Sequence, residues 1–263
     1  MKMFICDQRK SGNVFTANAG NEIVKADGLT FRVQGKNLLL QHKINIMRKI
    51  FATIIVASIF ASCSKDVVHG DGSIVTSERT VSNFTGINIA GANNVYISYA
   101  PEVSVSVKGY DNLVSHYVTE VNDGKLYLHY DDNINVKNDN IQVYITMPSF
   151  DALSLSGTCN INATGSYDNT GNLFVETSGD GDVNIEDISA DAYTIHSSGS
   201  SNIATLGVKA KTATVEISGS STVTLSVQDK LDVHISGSGN VSYKGEPTDL
   251  NTEISGSGNV IKL

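Results

Sequence analysis

Six copies of one short phrase, each closing on glycine, dominate the second half of this 263-residue sequence and restrict what it can fold into. They are Leu153-Ser-Leu-Ser-Gly157, Val175-Glu-Thr-Ser-Gly179, Ile195-His-Ser-Ser-Gly199, Val215-Glu-Ile-Ser-Gly219, Val233-His-Ile-Ser-Gly237 and Thr252-Glu-Ile-Ser-Gly256. The glycine-to-glycine steps are 22, 20, 20, 18 and 19 residues. Ile87-Asn-Ile-Ala-Gly91 is an earlier, degenerate copy. A strand alternates its faces with period two, so the mainly aliphatic positions four and two before each glycine point inward. Four residues after the glycine comes another branched aliphatic: Ile161, Val183, Ile203, Val223, Val241 and Val260. Before it stands Asn160, Asp182, Asn202, Thr222, Asn240 or Asn259. Gly-x-x-Asn therefore reads as a bend between two short strands, since glycine, and less freely Asn and Asp, accept left-handed backbone.

A unit of about 20 residues cannot bury its apolar face alone, but stacked copies can. With strands about 4.8 Å apart, six rungs make a column about 30 Å long. An antiparallel sandwich would instead alternate long and short connections. Aromatics at 7%, no Trp, 3 Pro and 23 Gly fit many short strands with tight turns. The expected fold is all-β, a parallel β-helix over 151–263 with a more irregular β portion over 81–150. In that portion the strand-like runs are Val103 to Val107, Val114 to Val121, Lys125 to Tyr130 and Ile141 to Met147, with Asn122-Asp123-Gly124 as a hairpin turn. This portion is expected to cap the first rung. The run Ile261-Lys262-Leu263 carries no cap, so the last rung is expected to self-associate.

Upstream lies a different composition. Met47-Arg48-Lys49, the apolar run Ile50 to Phe60 and Ala61-Ser62-Cys63 form a signal peptide with a lipobox. A mainly apolar run of 11 residues is too short for a membrane span, which needs about 20. The expectation is a start at Met47, residues 1–46 as a leader foreign to the fold, 47–62 as signal peptide, and 63–80 as anchor and linker beginning at lipidated Cys63. An outer-membrane lipid anchor follows, facing the periplasm or the cell surface. From Cys63 onward there are 10 basic and 24 acidic residues, a formal charge of −14. That surface repels phosphate, so nucleic acid is excluded as a partner, and cations or neutral glycans fit better. Cys159 is left as a lone, small, buried residue with no disulfide framework.

Phe84-Thr-Gly86-Ile87-Asn88-Ile89 with Val95-Tyr-Ile, then Gly124-Lys-Leu126-Tyr-Leu128, then the Ser-Gly-Ser-Gly-Asn-Val repeats resemble the putative autotransporter adhesin head GIN domain family of Gram-negative lipoproteins. The resemblance runs from about Val81 to Leu263. It implies a right-handed β-helix on the envelope and a role in adhesion, with no catalytic residues to carry over.

Many β-helices cleave polysaccharides with clustered carboxylates or basic subsites. Here Arg79 is the one arginine after Cys63, and Lys209, Lys211, Lys230 and Lys244 share no repeat position. Asp180 and Asp182 flank Gly181 in one bend, with Asp187 and Asp191 following. The first two are weak calcium candidates and poor catalytic ones. The glycine-rich stretches open no helix and lack a Lys-Ser/Thr ending, so phosphate binding fails, and no cofactor is implied. The candidate binding ladder is the outward position three before each glycine, which after Ser154 reads Glu176, His196, Glu216, His234 and Glu253. Stacked glutamates would repel, whereas here each His has Glu on both sides. Such a stripe suits a glycan or protein surface ligand, and neutral His with Glu can also ligate zinc. The serine column Ser156, Ser178, Ser198, Ser218, Ser236 and Ser255 beside it is good turn chemistry. A polysaccharide-cleaving enzyme and a self-assembling, homo-oligomeric structural protein remain the alternatives to a non-catalytic binding module.

Overall fold

The structure, a computed structural model, describes residues 66–168 and 171–263 and the backbone of four strands upstream: β1 (Phe4–Asp7), β2 (Thr16–Asn18), β3 (Asn21–Ala26) and β4 (Leu29–Val33). These four pair antiparallel in the order β1-β4-β3-β2, within a unit of their own covering residues 1–64. These strands fall within residues 1–46, the segment expected as a leader foreign to the fold. The signal peptide of residues 47–62 and Cys63 lie outside the described residues.

The second unit is nearly all β and is a β-solenoid. It opens with β5 (Asp66–His69), β6 (Ile74–Arg79), β7 (Gly86–Gly91), β8 (Asn94–Tyr99) and β9 (Ser104–Tyr110). A single helical turn, α1 (Asp111–Val114), leads to β10 (Tyr117–Asn122), β11 (Lys125–Tyr130), β12 (Ile134–Lys137) and β13 (Gln142–Met147). The regular part follows as β14 (Ala152–Gly157), β15 (Asn160–Asp168), β16 (Asn172–Gly179), β17 (Asp182–Gly199), β18 (Asn202–Gly219), β19 (Thr222–Gly237), β20 (Asn240–Lys244), β21 (Asp249–Gly256) and β22 (Asn259–Lys262). Among the described residues no helix is long and apolar enough to cross a membrane.

The strands ending on the repeat glycines stack parallel and in register, Gly91, Gly157, Gly179, Gly199, Gly219, Gly237 and Gly256 lying side by side. A second column starts three residues after each glycine. It runs β13-β8-β15-β17-β18-β19-β20-β22, again parallel. The two-strand repeat expected from sequence has a further stretch. Residues 187–190 of β17 pair with β15 and β18, and Lys209 and Ala210 of β18 pair with β19. β17 and β18 are therefore 18-residue strands that bend across register shifts.

The inward columns are those the alternation predicts. Leu153, Val175, Ile195, Val215 and Val233 are 0% exposed, and Ile161, Val183, Ile203, Val223 and Val241 are at most 2% exposed. Each such side chain contributes about 1.5–3 kcal/mol by leaving water. On β21 and β22 the same positions open, with Ile254 at 43% and Val260 half-buried. Polar residues at three buried positions satisfy one another. Thr177 and Ser197 share a 2.8 Å hydrogen bond, Ser197 Oγ donates to Ser221 Oγ at 2.7 Å, and Ser221 donates to the Gly199 carbonyl. Cys159 is buried, its Sγ directed at the Gly91 carbonyl at 3.2 Å, and burial pushes its thiol pKa up.

The bend differs from expectation in one respect. The glycines take positive φ, from +106° to +138°, whereas the Asn and Asp three positions later are ordinary strand residues. They ladder their amides instead: Asn160 Nδ2 donates to Asn94 Oδ1 and Asn259 Nδ2 to Asn240 Oδ1, both at 3.1 Å. The bend is held by main chain, since the N–H after each glycine donates to the glycine carbonyl one turn back, as Ser200 does to Gly179 at 3.0 Å.

The 81–150 portion is more than a cap. β11 and β13 form a turn of their own, paired parallel to β7 and β8 on the side away from β14 and β15. Antiparallel β10 and β9 cover the outer edges of β11 and β13, and β6 covers β9. The expected hairpin is present, with Asp123 and Gly124 both at positive φ between paired Asn122 and Lys125. Val114, expected in a strand, closes α1 instead, and residues 66–79, expected as linker, form β5 and β6, paired with β12 and β9.

Candidate functional site

Register brings the predicted ladder together. Ser154, Glu176, His196, Glu216, His234 and Glu253 are successive partners across β14, β16, β17, β18, β19 and β21. They project outward because the inward positions on either side carry the core. His196 Nε2 lies 3.5 Å from Glu216 Oε2, and His234 Nε2 lies 3.5 Å from Glu253 Oε2. Ser154 Oγ donates to Glu176 Oε2 at 3.5 Å. Each histidine thus has a glutamate on both neighbouring strands and pairs with the one toward the C-terminus. The Phe174 ring meets His196 edge-on at 5.2 Å between centroids, fixing the top of the column.

These side chains are wet: His196 is 41% and Glu216 55% exposed. Ion pairs so exposed contribute at most about 1 kcal/mol each. Their value is in arrangement rather than strength. The column lines an open trough of about 680 Å³, with the exposed hydroxyls of Ser178, Ser198, Ser218, Ser236 and Ser255 along one side. The donors and acceptors repeat at the strand spacing of about 4.8 Å, on a frame that does not flex with the side chains.

The other candidates scatter. Asp180 and Asp182 are exposed on the bend, their N–H groups holding the carbonyls of Gly157 and Cys159. Asp187 is taken up by Lys209 at 2.7 Å and by Ser166 at 2.9 Å, and these hold its carboxyl below the usual range. Asp191 pairs with Lys211 at 2.6 Å. Among the described residues no group of three or more His, Cys, Asp or Glu stands close enough to hold a metal ion. Sequence reasoning passed over the outward tyrosines Tyr96 and Tyr144, although both stand in a Val-Tyr-Ile phrase; they stack at 5.1 Å.

No curated protein sequence matches this chain. A solved putative adhesin from Bacteroides fragilis is similar over 74% of this chain and 100% of its own, at 22% identity and a TM-score of 0.64. A putative lipid binding protein from Parabacteroides distasonis is similar over 75% of this chain and 100% of its own, at 19% identity and a TM-score of 0.50. At such identities the likeness shows the fold alone. The pattern of one family matches residues 83–208 and 171–247, which spans most of the solenoid and agrees with the motif order, and the chain belongs to that family, described as putative auto-transporter adhesin, head GIN domain.

Proposed function

We propose that this chain is a non-catalytic adhesion module of the cell envelope, held to the outer membrane by lipid on Cys63 and presenting its acid–histidine trough to a glycan or protein ligand. The observation that carries the reading is the trough: five laddered Glu and His side chains with parallel serine hydroxyls on one rigid face. Contacts repeated at one spacing suit an extended ligand, because weak individual interactions on one frame act together. Family membership supports a place at the cell surface. Support for binding over catalysis comes from the carboxylates of the ladder, which pair with histidine, and from Asp187 and Asp191, which pair with lysine.

The test compares cells carrying the wild-type chain, Cys63→Ala, and the triple variant Glu176→Gln/Glu216→Gln/Glu253→Gln for attachment to mucin- and matrix-coated glass. Loss of attachment in both variants is expected, with the triple variant still at the surface. Undiminished attachment of that variant removes the trough from the reading. Intact mass of membrane-extracted protein checks the lipid on Cys63, and release of reducing ends from any glycan would overturn the non-catalytic assignment.

A further inference from the structure

We infer that a second face of the solenoid, formed by β13, β8, β15 and β17, is a binding platform for a neutral glycan chain. It lies in the second column of strands, apart from the acid–histidine trough, and does not depend on it.

Val95-Tyr96-Ile97 and Val143-Tyr144-Ile145 are the same phrase on adjacent strands, and register sets Tyr96 beside Tyr144. The valines and isoleucines fill the core at no more than 1% exposure, which obliges both tyrosines to face outward, each 38% exposed. Their rings stack at 5.1 Å and 18°, and the Tyr144 hydroxyl donates to Gln142 Oε1 at 2.8 Å. Because Tyr144 covers one face of Tyr96, the other face turns toward the next strand. There the same row continues with Asn162 and Asn184, shorter side chains joined by a 2.7 Å bond from Asn184 Nδ2 to Asn162 Oδ1. The parallel row holds Gln142, Asn94 and Asn160.

The result is an aromatic wall above a floor of amides, about 14 Å across four strands. A pyranose ring has a C–H-rich face and a rim of hydroxyls, and it needs these two things together. The C–H face packs on the tyrosine, while each paired amide still has N–H or carbonyl capacity for a hydroxyl. Charge selects the occupant. The tyrosine–amide centre is uncharged, with Lys108 beside Gln142 at one margin and, on β17 at the other, the outward carboxylates Asp182 and Glu186 on either side of Asn184. The remaining surface is acidic, so an anionic polymer is repelled while a neutral polyol is not.

The experiment is native electrophoresis of the purified chain through gels containing mannan, xylan, laminarin or galactan, with polygalacturonate as the charged comparison. Retardation by at least one neutral polymer is expected. Tyr96→Ala/Tyr144→Ala should weaken it at least about tenfold, and Tyr96→Phe/Tyr144→Phe should preserve it. Asn162→Asp, which keeps side-chain size and adds charge to the floor, should also weaken it, so the conclusion does not rest on the alanine pair remaining folded. Lys211→Gln, at a residue outside both this platform and the trough, should bind as wild type does, and loss in the tyrosine variants with every trough residue unchanged assigns the binding to the platform. Retardation by polygalacturonate alone, by no polymer, or undiminished from wild type in the alanine and aspartate variants would overturn the assignment. So would sedimentation showing that the tyrosine pair holds two copies of the chain together.

Discussion

Gly199 offers a direct measure of how the turns are held at the corner. Its φ is +138°, and a Cβ placed on it would run into the Gly179 carbonyl oxygen one turn back. That oxygen already accepts the Ser200 N–H at 3.0 Å and Ser201 Oγ at 3.2 Å, so it cannot swing aside without losing partners. Gly199→Ala therefore combines backbone strain of about 1–3 kcal/mol, a weakened hydrogen bond of about 1 kcal/mol and overpacking of about 1–3 kcal/mol. The expected loss is about 3–5 kcal/mol after partial relaxation. Gly124→Ala is the matched comparison, because Gly124 also has positive φ, +73°, but a Cβ there meets nothing within 4 Å. That change should cost about 1–2 kcal/mol, the backbone term alone. Urea unfolding followed by far-ultraviolet circular dichroism gives both values, provided the slopes agree. If the two variants lie within about 1 kcal/mol of each other, the corner does not depend on carbonyl-to-glycine packing and the argument fails.

The other predictions concern buried polar and titrating groups. Ser197→Ala leaves Thr177 Oγ1 without its core partner and should cost about 1–3 kcal/mol, whereas Thr177→Val/Ser197→Ala removes both and should recover part of that loss in the same urea assay. The Asp232 carboxyl is held below its usual range first by the hydrogen bond from Asn251 and then by Lys230, at 2.8 and 3.1 Å. A lowered carboxylate means that the unfolded chain binds more protons, so this stabilisation is present above the ordinary range and is lost as pH falls through the folded value. Asp232→Asn should flatten the fall in stability between about pH 4 and lower pH, by about 0.5 kcal/mol given its surface position. Burial raises the Cys159 thiol, so iodoacetamide at mildly alkaline pH should leave Cys159 unlabelled in the folded chain and modify it once urea unfolds the protein.

The regular turns were legible because two periods coincide in them, the alternation within a strand and the recurrence near 20 residues. Together they identify Val175, Ile195, Val215 and Val233 as one inward column and place Glu176 through Glu253 on one outward column. Three features were not legible in that way. The role of Asn160 and Asn202 was read from local backbone tolerance, but it is decided by what lies one turn above and below, which a linear string does not display. The third pairing stretch does hold buried Ile188, Val208 and Val227, but no recurring glycine marks it and the pairing of β18 with β19 shifts register on both sides of it, so the two-strand phrase did not disclose it. The position of β11 and β13 was hidden because nothing local dictates which edge of β7 a later strand takes. The shared Val-Tyr-Ile phrase was the available signal, and it also locates the tyrosine platform.

The turn built by β11 and β13 has a consequence for how the chain assembles. From β16 onward, a new turn docks on the one just completed, so neighbouring contacts close loops of about 20 residues and growth can proceed like a zipper. At the start, spatial order and chain order disagree. Ile87 must find Leu126 on one side and Leu153 on the other, 39 and 66 residues along the chain. Closing the longer of these loops costs about 1 kcal/mol more than closing one regular turn. On loop length alone, that junction is expected to form after the later turns, whose contacts are more local. Turns could accordingly be gained or lost on the C-terminal side over evolution with little effect on that junction, while an insertion between β8 and β14 would burden it directly.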